Sequence, residues 1–385
     1  MNDLSNVLAA SRAEAQDLWA ELEPFRFEDR YHQIRSHRKF ANWGLCERIC
    51  EECARLTSID LDRAVETAEL AVLVSDLLKE DDPTKARRLY QLRSYAWAHD
   101  GNARRVLGDL RGAEESFAIA DSWWEAGADD RGSLPDYEST LLDFEASLRI
   151  AQRRFPEALK LLDRMFALHA TGRTELRDAH LAGRALVKKA LAWHEMEDPE
   201  RAIELLRQAE PLVNADRDPR LLLCLRHNLL WELTTLEGYG QAQAMLPEVA
   251  ALCSSLGNPL DLLRLQWSEA RIIAGLGRTD DAIELLQVVR QEFAERGMGY
   301  DTALVSLELT ALHAQEGRTG EVKRLSVEMA RIFRAQNVPR EALAAMLFFQ
   351  KAAERERATA RLAREIAAFL EKQRTDPELR FDLMR

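Results

Sequence analysis

One small residue returns at a nearly constant interval through most of this chain, and that interval limits the fold more than any other feature. Ala113 is followed by Ala158 in RRFPEALKLL, Ala202 in MEDPERAIELL, Ala242 in LEGYGQAQAML and Ala282 in LGRTDDAIELL, with Val322 in the same place in EGRTGEVKRL. The steps are 45, 44, 40, 40 and 40 residues, the mark of a repeat architecture. Ahead of each of the last five lies a segment that reads as a helix, at about 136–152, 179–196, 219–236, 259–276 and 299–316. Pro156 and Pro199 fall near the starts of the second helices and Pro219 and Pro259 open first helices, where a missing N–H costs little.

A lone helix pair cannot bury both of its faces, so each pair leaves an apolar side that only its neighbour can cover. The expected fold is therefore all-α, a solenoid of stacked antiparallel helix pairs. With 46% hydrophobic and 31% charged residues the chain has material for a continuous core and charge for solubility.

The stretch Trp97–Ala120, WAHDGNARRVLGDLRGAEESFAIA, sets Trp97, Gly101, Gly108, Ala113, Phe117 and Ala120 so that small residues stand where two antiparallel helices touch. Gly108-Asp109 marks the turn between them. This order of Trp, Gly, turn, Ala, aromatic and Ala resembles a tetratricopeptide repeat. The step near 40 exceeds the family's ~34 residues, a longer unit similar to that of bacterial regulatory members. The resemblance implies a right-handed superhelix with first helices lining a concave groove and second helices forming the outer wall. It also implies a role in holding other molecules rather than converting them.

Residues 1–40 are expected to form amino-terminal capping helices, 41–374 a continuous solenoid of about eight helix pairs, and 375–385 a frayed tail. Leu4, Val7, Leu8, Ala15, Leu18, Trp19 and Leu22 make one apolar stripe up to Pro24. Beyond it Arg26, Arg30, His32, Arg35, His37, Arg38 and Lys39 interleave with Phe25, Phe27, Tyr31, Ile34 and Phe40. Such a mixture either contacts phosphate or an acidic protein, or is an amphipathic helix burying its rings and solvating its charges, the reading preferred here. Ser58 or Asp60 can cap a helix in the first, divergent pair, and residues 127–135, GADDRGSLP, read as a loop. The segments 339–353 and 358–372 read as a last pair, with Arg355, Arg357, Arg361 and Arg364 giving a polar face suited to a terminal cap.

The chemistry of catalysis is hard to find. Cys46, Cys50 and Cys53 spell C-x3-C-x2-C, the spacing of radical S-adenosylmethionine enzymes, but those enzymes hold it in a loop of an α/β barrel. In a helical run the same spacing puts three sulfurs on one face, where cysteine packs readily; zinc on Cys50, Cys53 and His37 is the residual metal option. No nucleophile elbow is present, and His169, His180 and His194 could meet only through the tertiary fold. Gly297-Met298-Gly299 lacks the rest of a phosphate loop. No enzymatic activity, no metal and no cofactor are expected. A net charge of −12 disfavours nucleic acid and anionic membrane, and no apolar run approaches the ~18 residues of a span. A soluble, cytoplasmic protein is expected.

The resemblance also says which positions face the groove. Counted back from each turn alanine, they are Tyr95, Asn102, Arg105, Asp143, Ser147, Arg184 with Lys188 nearby, and His194, then His227, Asn228 and Trp231, then Arg264, Trp267 and Arg271. The expected partner-binding set is Arg184, Lys188, His227, Asn228, Trp231, Arg264, Trp267 and Arg271, basic and aromatic within an acidic chain. Arginine and tryptophan dominate recognition energies, so the expected partner is a protein or peptide with an acidic and apolar segment. Trp231 and Trp267 either grip that segment or belong to the core between repeats. A regulatory adaptor ranks first, ahead of a sensor of a short signalling peptide and of a nucleic-acid-binding solenoid. Sensors of that type usually carry a DNA-binding or effector domain, for which the space before residue 41 is small.

Overall fold

The computed structural model describes residues 2–127, 135–171, 177–335, 340–376 and 379–381. The expected loop at 128–134, the start of the segment expected from 339, and 377–378 and 382–385 of the expected tail lie outside these residues. Among the described residues every regular element is helical. They fall into two compact units, Met1–Ala192 and Trp193–Arg385.

The first unit holds α1 (Asn2–Leu22), α2 (Phe27–Ser36), a 3-10 turn (Arg38–Phe40), α3 (Trp43–Leu56), α4 (Leu61–Leu77), α5 (Pro83–Leu107), α6 (Leu110–Gly127), α7 (Pro135–Ala151), α8 (Phe155–Ala170) and most of α9 (Ala179–Glu195). The second holds the end of α9, then α10 (Pro199–Ala209), α11 (Pro219–Thr235), α12 (Tyr239–Leu256), α13 (Pro259–Gly275), α14 (Thr279–Glu295), α15 (Gly299–Gln315), α16 (Thr319–Ala335), α17 (Arg340–Glu354) and α18 (Ala360–Thr375). The five first helices expected ahead of the turn alanines are α7, α9, α11, α13 and α15, each within a residue or two of its expected bounds. The fold is an all-α stack of antiparallel pairs.

What closes each pair is the same local geometry. Ala113, Ala158, Ala202, Ala242, Ala282 and Val322 are at most 4% exposed, so each second helix presses its first turn against its partner with nothing larger than valine between. Five residues earlier the chain reverses through a left-handed residue: φ is 97° at Gly108, 57° at Arg153, 63° at Glu197, 58° at Glu237, 81° at Gly277 and 68° at Gly317. The recurrence thus encodes a shared backbone turn as well as a small contact residue. Asp198, Asp218 and Asn258 then cap the helices that follow them through backbone N–H groups of Arg201, Leu221 and Leu260.

At the amino terminus Leu8, Ala15, Leu18, Trp19 and Leu22 are buried as the stripe predicts. Helix α1 approaches α3 so closely that a Cβ on Gly44 would lie 2.4 Å from the Ser11 carbonyl oxygen. The basic stretch is only partly the amphipathic helix expected: Ile34 and Phe40 are buried, but Phe25 and Tyr31 stay 42% and 36% exposed. Arg30 donates to the carbonyls of Leu22 and Glu23, and Lys39 pairs with Glu21. Asp60, not Ser58, caps α4.

The three clustered cysteines are buried on the inner side of α3. Cys46 Sγ donates to Ala71 O at 3.4 Å and Cys53 Sγ to His99 O at 3.9 Å. Burial pushes the Cys53 thiol up to about 12 and raises Cys50 as well, which keeps them protonated and packed. Among the described residues no three metal-binding side chains gather into a site, and no helix is long and apolar enough to cross a membrane.

The carboxy-terminal pair departs from the expected stack. Helix α17 packs on α16 in the usual way, but α18 packs more extensively on α15 than on α17. Ala363, Ile366 and Leu370 are buried in the same core as α15, and the Tyr300 hydroxyl donates to Leu370 O at 2.5 Å. Helix α18 is therefore no end cap laid along its own pair partner.

A left-handed conformation costs a residue with a Cβ roughly 1–2 kcal/mol, while glycine adds entropy to the unfolded chain. Glu237→Gly is expected to raise stability by up to ~1 kcal/mol and Gly277→Ala to lower it by ~1 kcal/mol, read as opposite shifts of the urea midpoint.

Candidate functional site

The groove residues named from the sequence fall into two sets, one in each unit. In the first unit they come from α5, α7 and α9. Lys188 Nζ lies 2.7 Å from Asp143 Oδ1 and donates to Asp143 O at 2.9 Å and to Ser147 Oγ at 2.7 Å. Two hydrogen bonds and an ion pair thereby tie α9 to α7. Burial lowers the Lys188 pKa, Asp143 opposes that, and the nearby charges of Arg105 and Arg184 add to it. Arg105 donates to Asn102 Oδ1 from Nε at 3.2 Å and from Nη2 at 2.8 Å, and burial lowers its pKa too. Lys188, expected as a groove contact, is thus a crosslink between helices.

In the second unit Arg271 of α13 lies over the ring of Trp231 of α11, with its Cζ 4.1 Å from the centre of the indole. They occupy equivalent positions, each eleven residues before its turn alanine, so the stack brings them side by side. His194 stands edge-on to Trp231 at 6.5 Å and its Nδ1 lies 2.6 Å from Glu232 Oε1. That pairing raises the His194 pKa against the opposing effect of burial. On the other side Arg271 Nε is 3.6 Å from Glu308 Oε1 on α15, and buried Nη1 of Arg271 has no hydrogen-bond partner. Burial pushes the Glu308 carboxyl up to about 7; Arg271 pulls it down, and Glu371 on α18 pushes it further up.

Arg271 and Glu308 open onto a hollow of about 280 Å³, lined also by Thr234, Tyr239, Gln315 and Arg364. With Arg271 and Arg364 in its wall and Trp231 under Arg271, this hollow suits an apolar side chain next to a carboxylate.

Trp267 is not part of that surface. It is 7% exposed, packs edge-on against Phe293 at 5.8 Å and belongs to the core of the second unit. Its register, fifteen residues before the turn alanine, is shared with Ala98, Asp143, Val187 and Leu307, all buried, and with half-buried His227, so most repeats turn this position inward. His227 and Asn228 of α11 and Arg264 of α13 line a separate hollow of about 120 Å³ with Arg220, Asp261 and Cys253. Arg220 already grips Asp261 with both terminal nitrogens. Burial, helped by Arg264, lowers the His227 pKa, so His227 is a neutral wall there and not a cation. Sequence reading missed Glu232, Glu308 and Glu371, and placed Arg364 on a terminal cap. Of these only Glu308 could have been found, because it stands at the register of Lys188 and Asn228, fourteen residues before the turn position.

No family model matches the chain, and no curated protein matches it. Solved structures do share its fold. A Rap protein complexed with competence and sporulation factor superposes with a TM-score of 0.56 at 12% identity, over 86% of this chain and 92% of that one. Aspartyl phosphate phosphatase F from Bacillus subtilis superposes with a TM-score of 0.52 at 10% identity, over 81% and 78%. At such identities the likeness establishes architecture, a tetratricopeptide-like helical-repeat fold.

Because the folded pKa of His194 lies above its ordinary 6.5, the ion pair with Glu232 stabilises fully below that pH and is lost as pH rises through the raised value. Glu232→Gln is expected to move the His194 midpoint downward in an NMR titration; an unmoved midpoint would refute the pairing.

Proposed function

We propose that the protein is a non-catalytic regulatory binding protein, and that it holds a peptide or an extended segment of a partner on the first-helix face of its second unit. The Trp231–Arg271 stack beside the hollow carries this reading. A partner carboxylate seats against Arg271, and an apolar side chain lies on the indole. A cation held over an aromatic face contributes ~0.5–2 kcal/mol, more when desolvated, and pre-orients the guanidinium before the partner arrives. Support from outside the chain is the Rap structure of the same fold, which was solved in complex with competence and sporulation factor. The phosphatase named among the similar structures shares architecture at 10% identity, and architecture does not fix activity. The net charge of −12 argues for peptide over nucleic acid.

An array of immobilised ten-residue peptides combining Asp or Glu with Leu, Phe or Val tests the proposal. The purified chain is expected to bind a subset, and Trp231→Ala with Arg271→Ala to weaken that binding by ~30-fold or more, the loss of about 2 kcal/mol typical of a recognition centre. Unchanged binding by the double variant, with helix content intact, would move the site off this face.

A further inference from the structure

Helix α18 stands where the proposed partner would lie. Its Arg364 lines the hollow together with Arg271 and Glu308. Further along, Glu371 influences both Glu308 and His194, and Lys372 pairs with Glu197 in the turn between α9 and α10. Over Arg364–Lys372, then, one helix runs across the first-helix face from α15 towards the beginning of the second unit. Its apolar stripe, Ala363, Ile366 and Leu370, is buried against α15, and Phe369 packs with Phe381 at 4.9 Å.

Three features set this contact apart from the regular stacking of the unit. Its ion pair to the rest of the face, Lys372 with Glu197, joins side chains 48% and 64% exposed, where such pairs contribute little. Gln373 is fully buried while neither its Oε1 nor its Nε2 has a hydrogen-bond partner, a penalty that is relieved when the helix leaves. Glu371 also brings a like charge towards the largely buried Glu308, offset in part by its attraction to His194. The apolar stripe and the Tyr300 hydroxyl on Leu370 O hold α18 down, while stranded Gln373 and the approach of Glu371 to Glu308 oppose the docking.

We propose that α18 is a displaceable occupant of this face, and that the partner replaces it with an amphipathic helix of its own. The partner helix carries small and branched apolar residues at the spacing of Ala363, Ile366 and Leu370, and a carboxylate on its flank that reaches Arg271 once Arg364 has withdrawn. This rests on the reading that the face binds a partner, and adds what the partner must look like and what it must remove.

The test uses the full chain and, as probe, a fluorescein-labelled synthetic peptide of residues 359–376. Two variants bracket the wild type. Leu370→Glu with Lys372→Glu frees α18, while Glu197→Cys with Lys372→Cys, in a Cys224→Ser background and joined by a bis-maleimide, pins it. The freed chain is expected to bind the peptide at least tenfold more tightly than wild type and the pinned chain to show no binding. Equal binding by freed and pinned chains overturns the proposal, as does no binding by a freed chain whose α15 amides keep wild-type protection. Hydrogen exchange on the wild type is independent of any variant: α18 amides should exchange faster than those of α15, and equal protection overturns the proposal. Loss of array binding on Trp231→Ala with Arg271→Ala is decided by the face alone, so the two readings fail separately.

Discussion

The contact on which the structure depends is the one between the first turn of each second helix and the helix before it. Because the turn residue there is alanine, or valine at 322, the two backbones come close and the chain must reverse sharply, through a left-handed residue, to make the contact. The same reversal occurs at Gly108, Arg153, Glu197, Glu237, Gly277 and Gly317, so every pair leaves its turn in the same orientation. That is why residues eleven positions before the turn alanine in successive pairs, Trp231 and Arg271, become neighbours though 40 residues apart. The pairing of Trp231 with Arg271 is a consequence of the repeat, and needs no loop to build it.

This explains how far the sequence could be read. Helix bounds were legible because proline, capping Asp or Asn and the turn alanine recur in fixed order, and those signals act locally. The facing of each residue was legible wherever the register was consistent: Trp231 and Arg271 share one register, and Trp267 shares another with Ala98, Val187 and Leu307. Reading tryptophan as a binding residue overrode that register at 267. The side chain is large enough to serve either purpose, and its apolar neighbours on the same line decide for the core.

Charge was less legible than position, because a sequence shows which residues are cations but not what each one faces. Lys188 is tied to α7 by two hydrogen bonds and an ion pair, and burial beside Arg264 lowers the His227 pKa. Of the arginines expected in the groove of the second unit, Arg264 lines the smaller hollow and Arg271 the larger, where Arg364 of α18 joins it. The carboxylates that shape this place, Glu232 and Glu308, sit on the same first helices as the cations they face. In a chain of net charge −12 only the register of Glu308 marked either of them out from the other acidic residues.

Helix α18 shows the limit of pattern most directly. An amphipathic helix with Ala363, Ile366 and Leu370 on one side and Arg361 and Arg364 on another fits two places equally well: beside α17 as an end cap, or across α15. Either place buries the same stripe, so the hydrophobic gain alone does not choose. Docking on α15 adds the Tyr300–Leu370 bond and the covering of a face that the last first helices would otherwise leave open, and it brings Glu371 towards Glu308 and strands Gln373. A contact selected only to close the stack would have no use for those two unfavourable terms, since a small polar-to-apolar change at 373 would remove one of them. Their presence at the edge of the hollow lined by Arg271 ties the resting position of α18 to the affinity of whatever comes to displace it: the more weakly the helix is held, the less of the partner's binding energy is spent in moving it.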